Sequence, residues 1–211
     1  CISIFCFVSC KHQNTLFKLV SSDDSGIHFN NKIVENDSLN PLDLTNMYNG
    51  GGVGIGDFNN DGLQDIYFTG NVVSNKLYLN KGKLKFDDIT AEAGVEGKGR
   101  WCKGVSVVDI NNDGWMDIYI SASINKDPQK RQNLLYVNQG LDKNGVPVFK
   151  EMAAEYGLND TTQSTMANFF DYDNDGDFDM YLVVNEMLQG YNHSDFCPKI
   201  NNGLFHNTGG V

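Results

Sequence analysis

Asp57-Phe58-Asn59-Asn60-Asp61-Gly62-Leu63-Gln64-Asp65 is the stretch on which the reading of this chain turns. It spells D-x-N-x-D-G-x-x-D, and the chain holds two further copies. They are Asp109-Ile110-Asn111-Asn112-Asp113-Gly114-Trp115-Met116-Asp117 and Asp171-Tyr172-Asp173-Asn174-Asp175-Gly176-Asp177-Phe178-Asp179. Oxygen-bearing side chains recur at positions 1, 3, 5 and 9, with Gly at position 6. A hard cation such as Ca²⁺ takes about 6–8 oxygen ligands, and alternate residues of a curled loop can aim their oxygens at one centre. Gly at position 6 permits the sharp turn that brings position 9 back. Position 7 offers its backbone carbonyl, so its side chain is free to vary, as Leu63, Trp115 and Asp177 do. Without a cation, carboxylates facing one point repel and raise each other's pKa. A single copy leaves a solvated Asp-Gly turn as an equal reading; three copies with one ligand spacing predict three calcium loops. The third has four carboxylate ligands where the others have three, and is expected to bind most tightly.

The residues after each loop exclude the commonest calcium motif. A helix–loop–helix site carries Glu at position 12, whereas position 12 here is Phe68, Ile120 and Leu182. The flanking runs, Asp65-Ile66-Tyr67-Phe68-Thr69 and its counterparts at 117–121 and 179–183, are β-branched and aromatic, so each loop feeds a strand.

A repeat unfolds around the loops. The first unit has an apolar strand holding Val53 and Ile55, the loop, a strand at 65–69, a third at 76–80 and a fourth at 85–89. The second repeats it with 104–108, 117–121, 133–138 and 148–152, and the third with 166–170, 179–184 and 203–207. Even the tails agree, Phe86 to Val95 against Phe149 to Leu158. Loops that start at 57, 109 and 171, with four short strands per unit, predict an all-β fold: a β-propeller of four-stranded blades, about three of them present. The units are 48–100, 101–160 and 161–211, preceded by a lead-in at 11–47 in which 25–29 is expected as the last strand of an incomplete blade. A propeller closes a ring of about 4–8 blades, so a partial ring with further blades beyond Val211 is expected.

Composition bounds the function. The net charge of −11 is largely local, since eleven Asp residues lie within the three loops. An acidic chain with no basic patch argues against nucleic-acid binding, and no stretch is long and apolar enough for a transmembrane helix. Residues 1–10 are apolar and end in Val8-Ser9-Cys10, a loose lipobox, before polar Lys11-His12-Gln13-Asn14. This predicts the end of a lipoprotein-type signal peptide with membrane attachment through lipidated Cys10, against an ordinary secretory signal or a buried strand. Cys102 and Cys197 would then remain, either paired in an oxidising compartment or as two separate buried thiols.

The Tyr48-Asn-Gly-Gly-Gly-Val53 lead, G-D-F-N-N-D-G, N-K-L-Y-L-N and F-x-D-I-T resemble the FG-GAP/VCBS repeats of integrin-alpha-like propellers, and look closest to bacterial envelope proteins of the ASPIC/UnbV type. The resemblance implies a seven-bladed ring with Ca²⁺ between the first two strands of each blade. Carried over by position, the ligands are Asp57, Asn59, Asp61, Leu63 (carbonyl) and Asp65; Asp109, Asn111, Asp113, Trp115 (carbonyl) and Asp117; and Asp171, Asp173, Asp175, Asp177 (carbonyl) and Asp179.

Two functional classes are open to such a chain. The first is a non-enzymatic, calcium-stabilised module on a bacterial cell envelope, outer-membrane-anchored or secreted, acting in adhesion or in binding a protein or glycan. The second is a propeller-based hydrolase or lyase acting on polysaccharide with structural calcium. The chain has no Gly-x-Ser-x-Gly and no His-Glu-x-x-His, and His12, His28, His193 and His206 are scattered. The glycines at 50–52, 54 and 56 spell no phosphate-binding loop and are expected to permit close packing of the innermost strands. Connections between second and third strands lengthen along the chain, from 71–75 to 122–132 to 185–202, the last holding Tyr191, His193, Phe196 and Cys197. It is either a recognition loop or a variable surface insertion.

Overall fold

The computed structural model describes residues 15–184 and 202–209, apart from 43, 45, 46 and 126. Among these residues eleven strands form three antiparallel sheets. The first runs β1 (Val53–Gly56), β2 (Asp65–Phe68), β3 (Lys76–Asn80) and β4 (Phe86–Asp88), in that spatial order. The second repeats it with β5 (Trp101–Val108), β6 (Asp117–Ser123), β7 (Leu134–Leu141) and β8 (Pro147–Glu151). The third has β9 (Ser164–Phe170), β10 (Asp179–Val184) and β11 (Gly203–Phe205). Each sheet is a meander, so each is one propeller blade, and the arc of three is the all-β partial propeller that the repeat predicts. Among the described residues no fourth strand pairs with β11.

Registers repeat with the sequence. Gly56 pairs with Asp65, Val108 with Asp117 and Phe170 with Asp179, so each loop is the hairpin joining the first two strands of its blade. Burial reports where each blade sits. β2 alternates, with Asp65 and Tyr67 buried and Ile66 and Phe68 half-buried, because blade one has a described neighbour on one face. β6 is buried at all seven residues, because blade two is covered on both faces. Two cores result. One joins Phe58, Tyr67 and Leu77 of blade one to Val105, Ile118 and Leu134 of blade two. The other joins Val108, Tyr119 and Leu135 of blade two to Ala167, Met180 and Leu182 of blade three.

The glycine run serves the close packing expected of it. A Cβ on Gly52 would stand 2.9 Å from the Lys103 carbonyl oxygen, and one on its counterpart Gly104 would stand 2.5 Å from that of Thr165. Only hydrogen fits where neighbouring innermost strands approach this closely.

Tails link blade to blade. After β4 comes a one-turn helix, α2 (Thr90–Ala93), capped by Gly94 in the left-handed conformation. The Val95 carbonyl then accepts from the Tyr67 hydroxyl at 2.6 Å, and the Gly97 amide donates to the Tyr136 hydroxyl of blade two at 3.2 Å. The lead-in corrects one expectation: 25–29 is not a strand. One-turn α1 (Ser22–Ser25) is capped by left-handed Gly26, and the His28 amide donates to the Tyr78 hydroxyl at 3.3 Å. Phe29 stacks on Phe68 with ring centroids 4.9 Å apart. This segment therefore lies on blade one as the tail of blade one lies on blade two. Leu44 and Met47 bury Trp101, which makes that tryptophan a core residue. Residues 1–10 with Cys10, and the 185–202 connection except Asn202, lie outside the described residues.

Candidate metal centre

The three loops share one hydrogen-bond scheme. At position 1, Asp57 accepts from the amides of Asp61 (3.1 Å) and Gly62 (2.8 Å). Asp109 accepts from Asp113 and Gly114 at 3.0 and 2.8 Å, and Asp171 from Asp175 and Gly176 at 3.2 and 3.1 Å. The position 3 side chains Asn59, Asn111 and Asp173 accept from the position 5 amide. The position 5 carboxylates of Asp61, Asp113 and Asp175 accept from the amides of Leu63, Trp115 and Asp177. These local turns need a left-handed residue at position 4, and Asn, which tolerates it, stands there each time: Asn60, Asn112 and Asn174, with φ of 54°, 55° and 63°.

Position 9 is the buried foot of each loop. Asp65 and Asp117 are fully buried, and Asp179 nearly so. Each takes one amide from position 2 of its own loop and one from the end of the third strand. For Asp65 these are Phe58 (2.9 Å) and Asn80 (2.8 Å); for Asp117, Ile110 (2.9 Å) and Asn138 (2.7 Å); for Asp179, Tyr172 (3.1 Å) and Asn207 (2.8 Å). The fifteen expected ligand positions therefore lie in three hairpins that share one hydrogen-bond scheme. In the third, ligand atoms of Asp171, Asp173 and Asp179 all lie within 4.8 Å of one another.

Electrostatics separates the third loop from the first two. Burial pushes the carboxyl pKa of Asp65 up to about 6; its amide donors act against this, and Asp61 and Asp57 add repulsion. Asp117 is pushed up to about 6 by burial in the same way, with Asp113 and Asp109 nearby. At Asp179 burial also pushes upward, but the Asn207 and Tyr172 amides and His206 outweigh it, and the pKa falls below its usual value. His206 Nδ1 lies 3.0 Å from Asp179 Oδ1 and 3.9 Å from Asp173 Oδ2. Its hydrogen bond to Asp179, against some desolvation, holds the imidazole pKa above its ordinary value.

This donor set fits a hard divalent cation. It is all oxygen in the first two loops, three of its acids converge in the third, and the buried foot of each of the first two loops has no cationic side chain among its described partners. Residues at positions 1, 3, 5 and 9, with the position 7 carbonyl, would hold calcium, which would supply positive charge to screen their mutual repulsion.

Parts of this chain are similar to known proteins. Residues 57–120 match the FG-GAP-like repeat family. That stretch runs from the first loop into β6, just under a third of the chain. The chain is also similar to cartilage acidic protein 1 of Xenopus tropicalis, 36% identical over 74 residues. The likeness covers 35% of this chain and 11% of that protein's length. The matched stretch holds the first two loops and ends within β6.

Two sets of residues escaped sequence reasoning. Asn75 and Asn133 open the third strands and lock the blades from within. Asn75 Oδ1 accepts from the Gly70 amide and its Nδ2 donates to the Tyr67 hydroxyl; Asn133 does the same with Ala122 and Tyr119. The other set ties blades together at the loop face. Asn138 Nδ2 donates to the Phe58 carbonyl at 2.9 Å, and Asn60 Nδ2 to the Gly114 carbonyl at 3.1 Å. The signal was available, since a pair of Asn residues five apart recurs in or beside every third strand: Asn75 and Asn80, Asn133 and Asn138, Asn202 and Asn207.

Cys102 is buried, and burial pushes its thiol up to about 11; Cys197 lies outside the described residues. A cleft of about 650 Å³ lies between the blade-two tail and blade three, lined by Ile110, Tyr156, Phe169, Phe205 and His206 among others. In the matching space between blades one and two, Phe149 of β8 packs edge-on against Phe58, centroids 6.1 Å apart. Among the described residues no helix is long and apolar enough to cross a membrane.

Proposed function

We propose that this chain is a calcium-stabilised propeller segment of a surface or secreted protein of the ASPIC/UnbV type, serving as a non-enzymatic binding module for a protein or glycan. One observation carries the calcium reading: three loops with the same ligand spacing repeat the same hydrogen bonds around a buried position 9 carboxylate. A carboxylate stripped of water is costly unless compensated, and Ca²⁺ compensates it in the folded state alone. Each loop joins the first two strands of its blade, so the ion's effect is structural. At free calcium about 100 times Kd, each independent site adds about 2.7 kcal/mol. Support for a binding module comes from the FG-GAP-like match and from the scaffold itself, in which rigid blades present loops of increasing length. Envelope display with a lipid on Cys10 belongs to the same proposal and rests on the lipobox-like Val8-Ser9-Cys10.

Thermal unfolding of the full chain with calcium and with chelator tests it. A calcium-dependent rise in midpoint that disappears in Asp57→Ala/Asp109→Ala/Asp171→Ala supports the proposal. A folded chain whose midpoint calcium does not move overturns it.

A further inference from the structure

Resting on the calcium reading above, we infer that His206 is a specificity-determining residue of the third loop, turning it from a calcium site toward a transition-type divalent ion such as Mn²⁺. The third strands end alike in blades one and two and differ at two places in blade three, of which one bears on a cation. Tyr78-Leu79-Asn80 and Tyr136-Val137-Asn138 become Phe205-His206-Asn207. Leu79 and Val137 are buried aliphatic side chains with nothing to offer a cation. In blade three the same position carries an imidazole that reaches the metal-facing carboxylates.

Lone pairs decide the consequence. A carboxylate has about four acceptor sites, two on each oxygen. Asp65 and Asp117 each spend one site per oxygen on a backbone amide, which leaves one on each oxygen for a cation. Asp179 Oδ1 takes the Asn207 amide and also faces His206 Nδ1. If the imidazole donates, Oδ1 has nothing left, and only Oδ2, which takes the Tyr172 amide, can still face a cation, so the third loop offers oxygen-hungry Ca²⁺ one site fewer than the others. If instead an ion takes the nitrogen lone pair, the site becomes mixed oxygen and nitrogen. Imidazole suits transition metals, whereas Ca²⁺ takes oxygen.

The spacing at Asp179 suits either case, and the second requires Asp173 to draw in by about 1 Å. Neighbouring ligand atoms of a six-coordinate ion with bonds of about 2.1 Å stand about 3 Å apart. Nδ1 lies 3.0 Å from Asp179 Oδ1 and 3.9 Å from Asp173 Oδ2. Asp173 is itself the second peculiarity of this loop, a carboxylate where Asn59 and Asn111 are amides. The added charge strengthens the third loop for any divalent ion, and His206 decides which. Its side chain is 46% exposed, so replacing it leaves the core intact.

The test is retention of Mn²⁺ by the full chain in a hundredfold excess of Ca²⁺, with free Mn²⁺ read from its electron paramagnetic resonance signal. The unaltered protein is expected to retain about one Mn²⁺, and His206→Leu, which copies Leu79, to lose at least tenfold in Mn²⁺ affinity while calcium still raises its unfolding midpoint. Equal Mn²⁺ retention by both proteins, or retention by neither, with calcium stabilisation intact, overturns this inference alone. Absence of any calcium stabilisation in either protein overturns the calcium reading and this inference with it.

Discussion

The two joints between blades are built from the same sequence pattern and are not alike. Between blades one and two, Phe149 fills the space against Phe58, the Tyr136 hydroxyl holds the Gly97 amide, and Asn138 and Asn60 cross the boundary at the loop face. Between blades two and three, Phe205 stands where Tyr136 stood and has no hydroxyl, His206 replaces an aliphatic residue, and the space matching that of Phe149 is a cleft of about 650 Å³. Ser106 still donates to the Ala167 carbonyl and Ser123 to Gln163. The loop constellations persist across both joints, while the packing beneath them does not. Ligand geometry here depends on the hairpin and the end of the third strand, and only secondarily on the joint.

The strongest way to break the comparison is to hollow out both joints. Phe58→Ala, at a fully buried ring, is expected to cost about 3–5 kcal/mol. Phe205→Ala, beside an open cleft, should cost less than half of that; equal losses in urea unfolding would show that the second joint is as tightly packed as the first. Next come the buried feet, measured in chelator. Asp117→Ala strands the Ile110 and Asn138 amides in the core, each worth about 1–3 kcal/mol. Asp179→Ala strands its two amides at the more open blade three and should cost less. Tyr136→Phe removes the hydroxyl that blade three lacks and is expected to cost about 1 kcal/mol. No loss there would mean that the tail is held by packing alone.

The smallest effect is one of pH. Asp65 and Asp117 have folded pKa values of about 6 against 3.8 for the unconstrained side chain. In chelator their ionisation disfavours the folded state fully above pH 6; the penalty shrinks as pH falls through 6 and is gone below 3.8. Protons and calcium compete for these same oxygens. The calcium-induced rise in midpoint should therefore be smaller at pH 5 than at pH 7. Asp179, held below its usual pKa, contributes none of that loss. A calcium increment that is constant across this range would show that the first two feet stay ionised without a cation.

Much of this arrangement was legible in the residues because its determinants are local. The D-x-N-x-D-G-x-x-D spacing, the left-handed Asn and the period-two strands each act within a few residues, and the strands fall where the pattern puts them. β3 and β10 begin and end as expected. β5 starts three residues early, at Trp101, because Leu44 and Met47 of the lead-in cover it, a contact no local pattern encodes. Residues 25–29 read as a strand because Ile27 and Phe29 alternate, but they pack as a tail on blade one and find no strand partner. His206 looked like one of four scattered histidines, since its nearness to Asp179 exists only once β11 pairs with β10.

The tail of blade one is a plug, and the Tyr136 hydroxyl is its socket; the lead-in inserts its own plug, the His28 amide, into the equivalent socket at Tyr78. Blades one and two therefore each carry a socket at the third strand, and the lead-in and the tail of blade one each carry a plug. A gene segment copied in tandem brings a fitting for the copy before it and another for the copy after. Such an arc can grow by duplication without a new interface having to arise, and its copies are then free to diverge one position at a time, as Phe205 and His206 have done.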